Sequence, residues 1–265
     1  MARRIVITSG KGGVGKTTIC ANLGYALAKN NQKVLLLDAD IGLNNLDVIM
    51  GVENRIIYDL LDVVSGRCRV RQALVQDFNL FNLFILPSNR AYCNLDIDGE
   101  ILKEILNELD EYFDYIIIDC PAGIENGFYR AVSCSKEAII VTTPHLSAIR
   151  DAYKVINILQ KNDIEILGVV VNRLRGDLIL LKEMLSVEKI SEYLKLSVVG
   201  AVPEDDTVIS CKSLLGEGLM QSNSFNKSFH YIVNKIHCGE YKVFDCTKRY
   251  RGIVGSIRRR LKRWV

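Results

Sequence analysis

Gly10-Lys11-Gly12-Gly13-Val14-Gly15-Lys16-Thr17-Thr18, preceded by Arg4-Ile5-Val6-Ile7-Thr8, orders the rest of the chain around itself. Gly10, Gly15, Lys16 and Thr17 satisfy the phosphate-loop pattern G-x-x-x-x-G-K-[ST]; the run before it reads as a buried strand and Thr18 to Lys29 as a helix. The glycines let successive backbone N–H groups gather around phosphate oxygens, and the positive end of the following helix reinforces them. Lys16 is placed to reach the β- and γ-phosphates, and Thr17 supplies the hydroxyl such a loop offers to Mg²⁺. The bland alternative, a glycine-rich turn with solvated lysines, does not account for the flanking strand and helix. Lys11 is a second cation, five residues ahead of Lys16, for which the pattern does not ask.

Outward from the loop, apolar runs recur at Ile5–Thr8, Val34–Asp38, Leu83–Leu86, Tyr115–Asp119, Ala138–Thr142, Leu167–Val171 and Val198–Val202, with helical patterns between them. Near-continuous apolar strands alternating with helices predict an α/β fold: a doubly wound, mostly parallel sheet with helices on both faces. In such sheets ligands bind at the carboxyl ends of the strands, where Thr8, Asp38, Asp119, Thr142 and Asn172 fall. Asp119 closes an apolar strand and is the candidate to orient Mg²⁺, directly or through water. Asp40, two residues past the second strand, is a further carboxylate for a site that must align an attacking water.

The 265 residues are 49% hydrophobic and 25% charged, with a net charge of +3, an ordinary globular composition for one large domain. No run approaches the about 18 apolar residues of a membrane span, and the first strand begins without a signal or transit pattern. Eight cysteines without a C-x-x-C and three unclustered histidines give no metal spacing and suggest a reducing compartment. Residues 242–265 hold nine Lys/Arg against Asp245 alone, net +8, which leaves residues 1–241 at −5. The expected organisation is a nucleotide domain over 1–241 and a basic tail over 242–265.

Taken as a helix, the end of that tail is two-faced. Tyr250, Ile253, Val254, Ile257, Leu261, Trp264 and Val265 fall within an arc of about 120°, and Arg258, Arg259, Arg260, Lys262 and Arg263 fill the remainder. That pattern suits the headgroup region of an anionic membrane; a nucleic-acid surface would need the charge without the apolar stripe.

With Lys11, Lys16, Asp40 and Asp119 placed, the chain resembles the deviant Walker A ATPases over nearly its full length, and among them the branch that places the division septum in bacteria and plastids. Asp38-Ala39-Asp40-Ile41-Gly42-Leu43, Glu53-Asn54-Arg55-Ile56-Ile57-Tyr58-Asp59, Asp119-Cys120-Pro121-Ala122-Gly123-Ile124-Glu125 and Arg150-Asp151-Ala152 carry the resemblance. It implies an ATPase using ATP and Mg²⁺, with Gly10, Lys11, Gly12, Gly13, Val14, Gly15, Lys16, Thr17 and Thr18 around the phosphates. It further implies that Lys11 crosses to a partner's phosphates in an ATP-dependent homodimer, Asp40 aligns the water and Gly123 senses the γ-phosphate. Asn172 and the loop Pro203-Glu204-Asp205 would meet the adenine, and Asp151 would lie on the helix that binds a division inhibitor and a topological factor. The implied location is the cytoplasm, peripheral on the inner face of the plasma membrane, or a plastid stroma. Asn44, His145 and Gly216-Glu217-Gly218, which lacks the proline usual after its glutamate, depart from the usual pattern and bear on partner surfaces and loop detail. DNA-partition and flagellar-number relatives, and metabolic enzymes on the same scaffold, are the competing readings.

Overall fold

A computed structural model describes residues 1–41, 45–88, 97–204 and 223–256. Its strands are β1 (Arg3–Thr8), β2 (Val34–Asp38), β3 (Val75–Gln76), β4 (Leu83–Leu86), β5 (Tyr115–Asp119), β6 (Glu137–Thr142), β7 (Glu165–Leu174) and β8 (Val198–Pro203). They form a single sheet in the order β3-β4-β2-β5-β1-β6-β7-β8. Every pairing is parallel except β3 with β4. From central β1 the chain winds first toward β2 and β4, returns to β5, and then builds outward through β6 to β8. That reversal makes the carboxyl end of β1 a topological switch point, where open α/β sheets bind ligands.

Both faces are covered, which is why the strands read as unbroken apolar runs. Alternate strand residues enter two cores. Val6, Leu35, Ile116 and Ile118 pack with α4 (Gly99–Asn107), α5 (Asn126–Ser133), α6 (Leu146–Lys161) and α8 (Val187–Leu194). Ile5, Ile7, Leu36 and Ile117 pack with α1 (Lys16–Lys29) and α9 (Asn223–Cys238), whose Phe225, Phe229, Ile232 and Ile236 are buried. The short helices α2 (Leu46–Met50), α3 (Leu60–Val64) and α7 (Gly176–Leu180) complete the connections. Among the described residues no helix is long and apolar enough to cross a membrane.

Two sequence expectations are corrected at the C-terminal end. Tyr250, assigned to the lipid-facing stripe, is only 4% exposed and sits in a single 3-10 turn, Lys248–Tyr250, packed against α7. The boundary at residue 242 also falls too early, because Val243 and Phe244 pack on the core and Cys246 is buried in it. Gly176 makes room for this: a Cβ there would collide with the Cys246 carbonyl. An amphipathic pattern reports that one face is covered, and here the first covered residue is covered by protein. Beyond the turn, residues 252–256 are helical, with Ile253 85% and Val254 65% exposed. Ile257, Arg258, Arg259, Arg260, Leu261, Lys262, Arg263 and Trp264 lie outside the described residues, as do Asp205 and Asn44.

Candidate nucleotide site

The loop from Gly10 to Gly15 joins β1 to α1 at the switch point. Gly15 has φ +95°, a left-handed conformation that disfavours a side chain, and a Cβ there would strike the Asn172 amide. Gly10 is needed for close approach, since a Cβ there would collide with the backbone carbonyl of Asp151 on α6. Gly15 caps α1 without a side-chain bond, and the first turn of α1 carries no acidic residue. Its leading N–H groups, with Thr17 and Thr18 in that turn, are therefore available to an anion.

The two lysines of the loop have different surroundings. Lys16 is buried, and its Nζ donates to Ser9 Oγ at 3.2 Å, while Ser9 Oγ donates to the Lys11 carbonyl at 2.8 Å. Lys11 is exposed, and its Nζ donates to Ser147 Oγ on the first turn of α6 at 3.0 Å. Lys16 thus faces the strand ends, and Lys11 lies along the front of the loop.

Three carboxylates meet opposite Lys16. Asp38 and Asp119 are register partners at the ends of adjacent β2 and β5, and both are buried. Burial, then the neighbouring Asp38, pushes the Asp119 carboxyl up to about 8, while Thr17 and Lys16 pull the other way. Burial also raises Asp38 to about 6, against stabilising bonds from the backbone of Asp40 at 3.0 Å, Asn45 at 3.4 Å and Leu46 at 3.3 Å. Half-buried Asp40 is raised by burial and lowered by the cations Lys16 and Arg130. Asp119 Oδ1 is buried without a hydrogen-bond partner. A buried orphan oxygen on a crowded carboxylate, with the Thr17 hydroxyl facing it, fits a hard divalent cation.

The structure brings the loop, Asp40 and Asp119 together, and places Gly123 just beyond β5 with φ +87°. Asn172 reaches the loop from the neighbouring half of the sheet. Its Nδ2 donates to the Val14 carbonyl at 2.9 Å and its Oδ1 accepts from Arg173 N at 2.9 Å, so here it supports the loop. Pro203 ends β8 opposite Leu174 of β7, and Glu204 N bonds the Leu174 carbonyl at 3.0 Å. Asp151 is half-buried on α6, paired with Lys154 at 2.9 Å, with its backbone against Gly10 of the loop. Sequence reasoning had no role for Ser9, Arg130 or the capping function of Asp38. Only Asp38 left a signal, as the last residue of an apolar strand.

A lysine-bearing phosphate loop at the switch point, faced by carboxylates from neighbouring strands, defines a P-loop nucleoside triphosphatase. An AAA domain model matches residues 2–168. The chain is 44% identical over 264 residues to the septum site-determining protein MinD of Synechocystis, covering 98% of this chain and 99% of that one. It superposes with a TM-score of 0.82 on the MinC:MinD cell division protein complex of Aquifex aeolicus, at 42% identity, covering 91% of this chain and 98% of that chain. The MinD of Pyrococcus horikoshii complexed with Mg-ADP gives a TM-score of 0.79 at 30% identity, covering 89% and 96%. The chain belongs to the MinD family of septum site-determining proteins, and like them it is an ATPase acting in placement of the division septum.

Proposed function

We propose that the protein is a switch in which ATP joins two copies, the joined pair holds an anionic membrane, and hydrolysis releases it. The observation that carries this reading is the contrast within the loop: Lys16 is enclosed with the carboxylates, whereas Lys11 is exposed on the front edge, resting on Ser147. A cation held there by one hydroxyl is free to move to a second subunit's nucleotide.

Lys16 and the N–H groups of the loop and of α1 bind the β- and γ-phosphates, with Asn172 bracing the loop from behind. Asp40, held beside Lys16 and Arg130, orients the water whose oxygen bonds to the γ-phosphorus as the bond to the ADP oxygen breaks. Gly123 offers its N–H to the γ-phosphate, and Pro203, Glu204 and Asp205 border the base. Thr17 and Asp119, the latter directly or through water, would hold Mg²⁺, which would supply positive charge against the charge of the phosphates. Alignment and charge stabilisation are the whole of the chemistry, so the protein needs no covalent nucleophile.

Each basic tail residue near an anionic surface contributes up to about 1 kcal/mol, but ordering a loose helix offsets much of it, so one tail binds weakly. Two tails on one dimer make the second insertion intramolecular and raise avidity by orders of magnitude. Exposed Ile253 and Val254 at the start of the tail helix support a lipid-facing stripe. A MinC-like division inhibitor and a MinE-like or other topological factor are the partners, with Asp151 on the helix that meets them; the relative solved as a MinC:MinD complex supports the first. Light scattering with a slowly hydrolysed ATP analogue tests the switch: a doubling of mass with ATP but not ADP is expected, and a monomer in both states would refute it.

A further inference from the structure

The root of the tail is folded onto the body, and its surroundings are basic. Tyr250 is buried, Arg249 lies over its ring at 4.7 Å and donates to its hydroxyl at 2.6 Å, and Asp245 pairs with Arg251 at 3.2 Å. Gly252 then takes φ +75° as the helix of residues 252–256 begins, and Gly255 packs so closely on the Tyr250 backbone that a Cβ would collide with it. No slack linker separates the body from the first turn of the tail. Phe244, Asp245, Lys248, Arg249 and Tyr250 line a cavity of about 270 Å³ together with Lys227 near the start of α9. Asp245 is already engaged by Arg251 and by the Thr247 hydroxyl at 2.6 Å, which leaves exposed Lys227, Lys248 and Arg249 to set the sign of the cavity mouth.

We infer that this mouth is a second membrane contact, a site on the folded body for the phosphate of an anionic phospholipid, which fixes how the body sits on the bilayer. It rests on the reading that the tail binds an anionic membrane. Ile253 and Val254, only a few residues on, point outward with their apolar surface. A bilayer that receives them brings its phosphates level with Lys248 and Arg249, which the buried Tyr250 holds in place. Pro203, the last residue of β8, lines the same cavity, so the β8 edge of the sheet would lie nearest the membrane.

The test uses the full chain with ATP and vesicles of phosphatidylglycerol and phosphatidylcholine. Sedimentation compares the native chain with a Lys227→Gln, Lys248→Gln, Arg249→Gln variant. An equal charge change at the opposite pole, Lys29→Gln, Lys161→Gln, Lys195→Gln, serves as the control. The account predicts about tenfold weaker vesicle binding and a flatter salt dependence for the first variant, and near-native binding for the control. Thermal unfolding checks that both variants fold. The chain has one tryptophan, Trp264, so its emission reports tail insertion separately. Unshifted Trp264 emission in the native chain would refute the tail reading itself. A normal shift with equal affinity for both variants would overturn the headgroup site alone, and so would retention on duplex DNA in place of vesicles.

Discussion

The inner and front sides of one nine-residue loop carry the same side chain in opposite surroundings. Lys16 is buried among Ser9, Asp40 and Asp119, whereas Lys11 is in solvent with one hydroxyl partner. A buried ammonium facing carboxylates is part of a site that works within one chain. An exposed one at the rim adds little to that chain, because an exposed contact is screened and contributes well under 1 kcal/mol. On the proposed reading the difference separates binding from assembly: the inner lysine would serve the nucleotide and the outer one the second subunit.

Substitutions can break that division of labour. Lys16→Ala has the largest expected effect, a loss of at least about hundredfold in ATP hydrolysis together with loss of nucleotide binding by calorimetry. Asp119→Asn comes next, lowering Mg²⁺-dependent hydrolysis by about hundredfold, with nucleotide binding in chelator less affected. It also has a signature on the inner side alone. Asp38 and Asp119 have folded-state values of about 6 and about 8, above those of an unfolded carboxyl, so the folded chain holds protons that the unfolded chain releases. Their contribution to stability is full below about pH 4 and is lost as pH rises through 6 and then 8. Nucleotide-free protein should therefore melt at progressively lower temperature from pH 5 to pH 8, and Asp119→Asn should flatten that slope; an unchanged slope would count against the crowded-carboxylate account.

Smaller effects sharpen the comparison from outside the loop. Tyr250→Ala removes a buried aromatic from the tail root and should cost about 3 kcal/mol in urea unfolding while sparing nucleotide binding. Ser147→Ala removes the partner of Lys11 and should change stability by about 0.5 kcal/mol or less. A large loss there would mean that the front lysine is structural and not held in reserve.

The strands, the loop and the strand-end carboxylates were legible because each is written in adjacent residues: an apolar run, a glycine spacing, an acid at a strand end. Strand β3 was not, since two residues pairing antiparallel at the sheet edge leave no periodicity. The brace from Asn172 to Val14 spans 158 positions and depends on how β7 lies beside the loop. The charge of Arg130 acts on Asp40 from α5, another coupling between distant parts of the sequence. Tyr250 was misassigned for a different reason: a helical stripe shows which residues avoid water, and protein and lipid satisfy that demand equally.

In the proposed switch, ATP governs membrane binding through Lys11. Sedimentation with anionic vesicles in the presence of ATP compares the native chain with Lys11→Ala, whose inner lysine, carboxylates and tail are untouched. The account predicts that Lys11→Ala still binds ATP but remains in the supernatant at concentrations where the native chain pellets. Equal pelleting of the two would contradict it and assign membrane binding to the single tail.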